Sequence, residues 1–174
     1  MPRVSDVRIP SLWAISAVAA LMLAAPSTAG PRSARSVPRF QLRLLDGKFV
    51  GSADLAGRVT VIDFWGTWCG PCLLEIPEYN EFYRQYKSRG VLLLALALDS
   101  GSEEDVRAAV RKLKIAYPVA VPSLKELDLF GDIVGVPTTL VVDQKGEVVR
   151  EFIGASASKQ RILRELVESL LASR

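Results

Sequence analysis

Apolar residues along this chain fall into short runs and alternations that are typical of strands. The segments predicted as strands are 40–44, 48–50, 59–64, 91–98, 138–142 and 147–153. Of these, 59–64 and 91–98 are almost wholly apolar, as expected for strands covered on both faces. The first two segments flank Asp46-Gly47 and the last two flank Asp143 to Gly146, so each pair predicts a hairpin.

Three further segments repeat their apolar residues at helical spacing. The first begins at Cys69 and stops at Gly90, with a kink expected at Pro77, whose ring removes one backbone hydrogen bond. The second follows Ser102, which precedes three acidic residues as at many helix starts. The third covers 162–171. The order of strands and helices predicts an α/β domain with a mixed sheet and helices on both faces.

The first 29 residues have the pattern of an export signal. Two arginines precede an uncharged apolar stretch at 12–25, and the small residues Ser27 and Ala29 follow. We expect cleavage after Ala29, because about 14 apolar residues fall short of the ~20 that a membrane-spanning helix needs. An uncleaved anchor is the alternative. Residues 30–39 are rich in Pro, Ser and Arg and predict a flexible linker, which leaves 40–174 as a single domain.

Charge and composition exclude several classes of function. The formal net charge is +3 and basic residues are spread singly or in pairs, so we expect no nucleic-acid partner. Histidine is absent, and both methionines lie in the N-terminal segment. A zinc site needs four ligands and a copper site usually recruits His or Met, so we expect no metal and no cofactor. Two-coordinate Cu(I) held by the cysteines is the metal alternative that remains.

The two cysteines of the chain, Cys69 and Cys72, stand in Trp-Cys-Gly-Pro-Cys at the predicted junction of a strand and a helix. This spacing lets the two sulfurs bond to each other. A purely structural disulfide would close so short a loop that it stabilises weakly, which favours a reversible dithiol. Cys69 is the predicted nucleophile, because the positive end of the helix stabilises its thiolate. Cys72, expected to be the more covered, would resolve the mixed disulfide, and Gly70 and Pro71 permit the tight turn.

Several motifs together resemble the thioredoxin superfamily. They are Val-Ile-Asp-Phe-Trp-Gly-Thr-Trp-Cys-Gly-Pro-Cys at 61–72, Pro77 five residues later, and Gly-Val-Pro-Thr-Thr at 135–139. Leu-Leu-Glu-Ile-Pro at 73–77 and the export-like start are most similar to the extracytoplasmic branch, the thiol:disulfide interchange proteins of the TlpA/ResA type. The resemblance covers roughly residues 40–170. It implies a thioredoxin-like fold preceded by an N-terminal hairpin.

The resemblance gives two acidic residues a role in proton transfer. Asp63 stands alone in an apolar strand, where burial makes a carboxyl hold its proton tightly, and it matches the buried acid that takes the proton of the second cysteine. Its alternative is simple hydrogen bonding. Glu75 shares a helix face with Cys72 and matches an active-site glutamate, with a solvent-facing residue as the alternative. The lysine that thioredoxins keep in the next strand is missing from 91–98.

The resemblance also implies a surface for substrate binding. Pro137, after Val136, matches a cis-proline that faces the dithiol and leaves backbone groups free to pair with an extended polypeptide. Trp68 directly precedes Cys69 and is expected to shield the dithiol and line the docking surface. Gly70 and Pro71 complete the predicted substrate-binding set.

A Gly-Pro pair between the cysteines resembles reducing thioredoxins, whose potential is about −270 mV against about −120 mV for a strong oxidant. We therefore expect a monomeric, exported protein-disulfide reductase of the periplasm or of the extracytoplasmic face of the membrane. In this branch, electrons come from a membrane thiol transporter and pass to apocytochrome c or copper-site proteins. The alternatives are a disulfide oxidase or isomerase of the same fold and a non-enzymatic Cu(I) or thiol carrier. A peroxidase is disfavoured, because the Pro-x-x-x-Thr-x-x-Cys signature is missing.

Overall fold

The structure is a computed structural model that describes residues 35–173. The predicted signal peptide and the first part of the predicted linker lie outside these residues. In chain order the elements are β1 (Arg35–Ser36), β2 (Gln41–Arg43), β3 (Phe49–Gly51), β4 (Thr60–Trp65), α1 (Gly70–Tyr86), β5 (Leu92–Ala97), α2 (Glu103–Leu113), β6 (Val119–Ala120), α3 (Leu124–Asp128), β7 (Thr138–Val142), β8 (Glu147–Ile153) and α4 (Lys159–Ala172). Within the described range, no helix is both long enough and apolar enough to cross a membrane.

Six strands form one mixed sheet in the order β1-β8-β7-β4-β5-β6. Strands β4, β5 and β6 run parallel, whereas β7 is antiparallel to both β4 and β8. This arrangement confirms the predicted mixed sheet. All six residues of β4 are buried, in keeping with a central strand that is covered on both faces. The predicted hairpin of β2 and β3 forms a separate two-stranded sheet, and Leu44 next to it bridges to Ala120 of β6.

The side chains of β4 alternate between two apolar cores. Val61 contributes to a core shared with α1, α2 and α4, which includes Tyr79, Phe82, Val106, Leu163 and Val167. Ile62 and Phe64 contribute to the opposite core, which includes Leu42 and Leu55 beside the hairpin and Phe130 after α3. Helices therefore lie on both faces, as predicted, but unequally: three long helices cover one face, while the hairpin and the short α3 cover the other.

The end of the predicted linker is part of the sheet. Arg35 and Ser36 form β1, which pairs with Val148 and Glu147 of β8, and the N–H of Val37 donates to the carbonyl of Gly146. These residues are therefore not a free tether. A two-residue strand is too short to show an alternation of apolar and polar residues, so this pairing could not be predicted from the pattern.

Two predicted helices differ in detail from the structure. α1 ends at Tyr86, earlier than predicted, and a short 3-10 turn follows it up to Gly90 in the left-handed conformation (φ 82°). Pro77 lies inside α1, on its exposed side. α4 begins at Lys159, three residues earlier than the pattern predicted. This earlier start brings Lys159 onto the helix face that meets the core.

Candidate active site

Cys69 and Cys72 form a disulfide at the first turn of α1, with an S–S distance of 2.04 Å. Cys69 is the N-cap residue, and its Sγ accepts a hydrogen bond from the backbone N–H of Cys72 at 3.2 Å. Pro71 occupies the first turn, where an N–H has no partner within the helix. Both cysteines are 4% exposed, so the expectation that Cys72 is the more covered does not hold in the oxidised form. When the disulfide is reduced, the hydrogen bond and the helix dipole stabilise negative charge on Cys69.

Trp68 lies on the surface directly before the disulfide. Its side chain is 61% exposed and its indole N–H donates to the carbonyl of Leu98 at 3.3 Å. The ring rests against Gly66, where an added Cβ would lie 2.8 Å from the indole, so a larger residue at position 66 would displace the Trp68 ring. Leu74 on α1 and Val134, three residues before Pro137, are further exposed apolar side chains. The predicted docking surface therefore includes exposed apolar side chains.

The peptide bond between Val136 and Pro137 is cis, as the resemblance implies. Thr138, the next residue, pairs with Phe64 near the carboxyl end of β4. Pro137 therefore lies at the same end of the strands as the cysteine turn. The carbonyl of Pro137 accepts a hydrogen bond from Gly154. The backbone N–H and carbonyl of Val136 make no hydrogen bond with any residue of the described range.

Asp63 is buried in β4 and is held by two hydroxyl groups. Its Oδ1 accepts hydrogen bonds from the Tyr79 hydroxyl at 3.1 Å and from the Thr139 hydroxyl at 2.9 Å. Its Oδ2 accepts none from the residues between 35 and 173. Burial raises the pKa of Asp63 to about 6, against the opposing influence of the Lys159 charge and the Thr139 hydrogen bond. Asp63 thus has one oxygen fixed by donors and one left to take up a proton near neutral pH.

Glu75 is buried in an ion pair and does not face solvent. Its Oε2 accepts a hydrogen bond from Lys159 Nζ at 2.8 Å. Lys159 is 1% exposed, and its Nζ also lies 5.4 Å from the centroid of the Tyr79 ring. Since Glu75 follows Cys72 by three residues on α1, the ion pair lies one helical turn beyond the second cysteine.

Sequence reasoning missed three residues of this buried cluster: Tyr79, Thr139 and Lys159. Lys159 had a readable signal, because it precedes the buried Leu163 by four residues and so heads the apolar stripe of α4. Lys159 on α4 is a buried cation, whereas β5, the strand in which thioredoxins keep a lysine, has none. Burial and the Asp63 charge raise the pKa of Tyr79 well above its ordinary value, so its hydroxyl stays protonated as a donor.

Comparison with known proteins agrees with this geometry. Residues 32–166 match the family model described as Redoxin. A thiol-disulfide oxidoreductase ResA of Bacillus cereus is 34% identical over 126 residues, which cover 72% of each chain. ResA of Bacillus subtilis (strain 168) is 32% identical over 118 residues, 67% of this chain and 65% of that one.

Solved structures show the same relationship. A putative thiol:disulfide interchange protein DsbE from Chlorobium tepidum has a TM-score of 0.72 and 28% identity, covering 79% of this chain and 96% of its own. StoA from Bacillus subtilis has a TM-score of 0.65 and 27% identity, covering 75% of this chain and 98% of its own. The chain therefore belongs to the Redoxin family within the thioredoxin superfamily and is a ResA-like thiol-disulfide oxidoreductase.

Proposed function

We propose that this protein reduces disulfide bonds in exported polypeptides through Cys69 and Cys72. The observation that carries the direction of electron flow is the pair of buried carboxyl groups, Asp63 and Glu75, with Lys159 as the only buried cation in the described range. The reduced form holds a thiolate and the disulfide is neutral, so excess negative charge nearby disfavours the reduced form. A dithiol in this setting gives up its electrons readily.

The first step of the proposed cycle is attack by the Cys69 thiolate on a substrate disulfide. A bond forms between Cys69 Sγ and one substrate sulfur, and the other substrate sulfur leaves as a thiolate that takes a proton from solvent. The first-turn position of Cys69, with the Cys72 N–H directed at its sulfur, stabilises the attacking thiolate.

The second step is resolution of the mixed disulfide by Cys72. The Asp63 carboxylate takes the proton of the Cys72 thiol, and the Cys72 thiolate attacks Cys69 Sγ. The bond between Cys69 and the substrate breaks, and the departing substrate thiolate takes the proton back from Asp63. Two electrons have then moved from the cysteine pair to the substrate, which leaves the Cys69–Cys72 disulfide seen in the structure.

A depression of about 510 Å³ beside the dithiol supports a polypeptide substrate. It is lined by Pro71, Leu74, Glu75, Glu78, Ala155, Ser156, Ala157 and Gln160. Trp68 adds an exposed aromatic surface, and the unpaired backbone groups of Val136 fit an extended chain that passes Pro137. We assign substrate binding to Trp68, Gly70, Pro71, Val136 and Pro137.

The biological setting of the proposal follows from the resemblance to the ResA-like branch and from the pattern of the first 29 residues. The protein acts as a monomer on the outer side of the cytoplasmic membrane. It receives electrons from a membrane thiol-disulfide protein and passes them to cysteines of apocytochrome c or of copper-site proteins. It needs no cofactor, because both electrons come from the cysteine pair.

The reduction potential of the Cys69–Cys72 pair tests the direction. The chain from Gly30 onward is equilibrated in thiol buffers and followed by tryptophan fluorescence. We expect a value near the thioredoxin end of the range, about −270 mV. A value above about −180 mV would instead make the protein an oxidase or isomerase.

Reduction of insulin disulfides tests whether the protein is an enzyme at all. We expect turnover by the wild type and none by Cys69→Ser. An inactive wild type that binds Cu(I) tightly through the two cysteines would contradict the proposal and support the carrier alternative.

A further inference from the structure

Lys159 is the one buried basic side chain among residues 35–173, and no step described so far uses it. It reaches the active site from α4, 84 residues along the chain from its partner Glu75. Its Nζ lies 2.8 Å from Glu75 Oε2 on one side and 5.4 Å from the Tyr79 ring centroid on the other. The Tyr79 hydroxyl in turn donates to Asp63, so Lys159 connects the environments of both carboxyl groups.

The stability of the fold does not account for this ion pair. Moving an ammonium and a carboxylate out of water costs several kcal/mol each, and their attraction only offsets that cost. Two apolar side chains of similar volume often serve a core equally well or better. A lysine buried against Glu75, one helical turn beyond Cys72, lies where charge changes during the reaction, which points to a role in the chemistry.

We propose that Lys159 is a positioning residue for proton transfer at Cys72, because its charge balances the two buried carboxyl groups and lets Asp63 release and regain a proton during exchange. This inference rests on the proposed reductase function. The proton that Lys159 controls passes from the Cys72 thiol to Asp63, and then to the departing substrate thiolate.

The groups that surround Asp63 give the direction of this effect. The hydroxyls of Tyr79 on α1 and Thr139 on β7 donate hydrogen bonds to Asp63. The ring of Tyr117, which precedes β6, packs edge-to-face against the Tyr79 ring. Among charged groups, Lys159 lowers the pKa of Asp63 and Glu75 raises it, and the influence of Lys159 is the larger. Without Lys159, Asp63 would keep its proton to higher pH and accept the Cys72 proton less readily.

The test follows the reaction of the reduced protein with 5,5′-dithiobis(2-nitrobenzoate) between pH 5 and pH 9. Attack by Cys69 releases the first coloured thiolate, and resolution by Cys72 releases the second. We compare wild type, Lys159→Met, Glu75→Gln and the double variant. Lys145→Met is the matched control, because Lys145 is an exposed lysine in the turn between β7 and β8.

Lys159→Met should slow the second phase about fivefold at pH 6 and change it little above pH 8. Glu75→Gln should shift the pH profile in the opposite direction. The double variant should retain a smaller shift of the Lys159→Met kind. Each variant of the ion pair should change the second phase more than the first, because the first depends on the Cys69 thiolate and not on the proton of Asp63. Lys145→Met should match the wild type in both phases.

The double variant keeps the test decisive if Lys159→Met alone fails to fold, because the double variant removes both members of the Glu75–Lys159 ion pair and leaves neither charge without its partner. Wild-type second-phase profiles in both the double variant and Glu75→Gln would overturn the inference and leave the reductase function standing. Failure of the wild type itself to release the second thiolate and to reduce insulin would overturn the proposed function. The two failures are therefore distinguishable.

Discussion

Helices α1 and α2 follow the parallel strands β4 and β5 and begin at the same end of the sheet. Their first turns are nevertheless capped by different groups. At α2 the Ser102 hydroxyl accepts from the Asp105 N–H, and the Asp105 carboxylate accepts from the Ser102 N–H. At α1 the cap is the sulfur of Cys69, and no acidic residue lies in the first turn. The start of α2 is stabilised by its own hydroxyl and carboxylate. The first turn of α1 contains no carboxylate that would compete with a negative charge on Cys69.

Two aspartates extend this comparison. Hydrogen bonds from the hydroxyl and backbone N–H of Ser102 lower the pKa of Asp105, so the start of α2 stabilises a negative charge. Burial raises the pKa of Asp63, which lies behind the start of α1. The Asp105 carboxylate therefore stabilises the fold, whereas the Asp63 carboxylate is a buried charge that costs the fold stability.

The largest expected effect comes from giving α1 an ordinary cap. Cys69→Ser replaces the sulfur with a hydroxyl that caps helices well, so the variant should fold while disulfide exchange falls to background. Insulin reduction and thermal unfolding together measure this. Cys72→Ser is the control, since it should stop at the mixed disulfide after one normal attack. Turnover by Cys69→Ser would break the comparison, because the cap would then not be the nucleophile.

Asp63→Asn should stabilise the protein at neutral pH. The pKa of Asp63 is about 6 in the folded state against 3.8 as the ordinary value, so the wild type loses stability as pH rises through this interval. The variant avoids this loss, which amounts to about 3 kcal/mol above pH 6, and should match the wild type below pH 4. Denaturant unfolding across pH measures the difference.

Asp105→Asn is the matched opposite of that variant. The folded pKa of Asp105 is lowered, so its contribution is present at neutral pH and is lost as pH falls. The variant should therefore be less stable than wild type at pH 7, with the gap closing in acid. Equal pH dependence in the two variants would contradict the assignment of opposite roles.

Ser102→Ala should cost about 1 kcal/mol of the free energy of unfolding, because it removes the hydroxyl that caps α2. It should leave the rate of insulin reduction unchanged, since Ser102 belongs to the helix start that serves stability. A loss of activity without a loss of stability would show that the two helix starts are not independent.

Gly70→Asp should give the smallest effect, by making the first turn of α1 acidic like that of α2. An added Cβ at Gly70 meets nothing within 4 Å, so the change acts through charge. A carboxylate here competes for the positive helix end, and we expect about two- to fivefold slower attack by Cys69 at pH 7. Gly70→Ala controls for the side chain itself, and an equal slowing by both variants would exclude the electrostatic explanation.

Much of the fold was predictable where local signals were strong. The bounds of β7 and β8 match the prediction, because the turn residues from Asp143 to Gly146 separate two segments rich in β-branched and apolar residues. α3 has a capping box of Ser123 and Glu126 that the sequence displayed, but five residues have no periodicity to recognise. β6 is two residues long and exists only through its pairing with β5.

The candidate active site was also predictable only in part. The cysteine turn could be predicted because its residues are contiguous. The cluster around Asp63 could not, because Tyr79, Thr139 and Lys159 come from three elements that only the tertiary fold brings together. A lysine in a surface-like helix is usually solvated, and only its place on the buried stripe distinguishes Lys159.

The two edges of the central sheet have a consequence for a protein that meets unfolded chains. Its edge strands, β1 and β6, are two residues long, and Leu44 already bridges to β6. Within the described residues, β1 pairs only with Glu147 and Val148, so the outer side of β8 from Val149 to Ile153 has no strand beside it. Edge strands are where an extended polypeptide adds to a sheet and where aggregates grow, so this stretch of β8 is where the sheet is open to β-pairing with another chain.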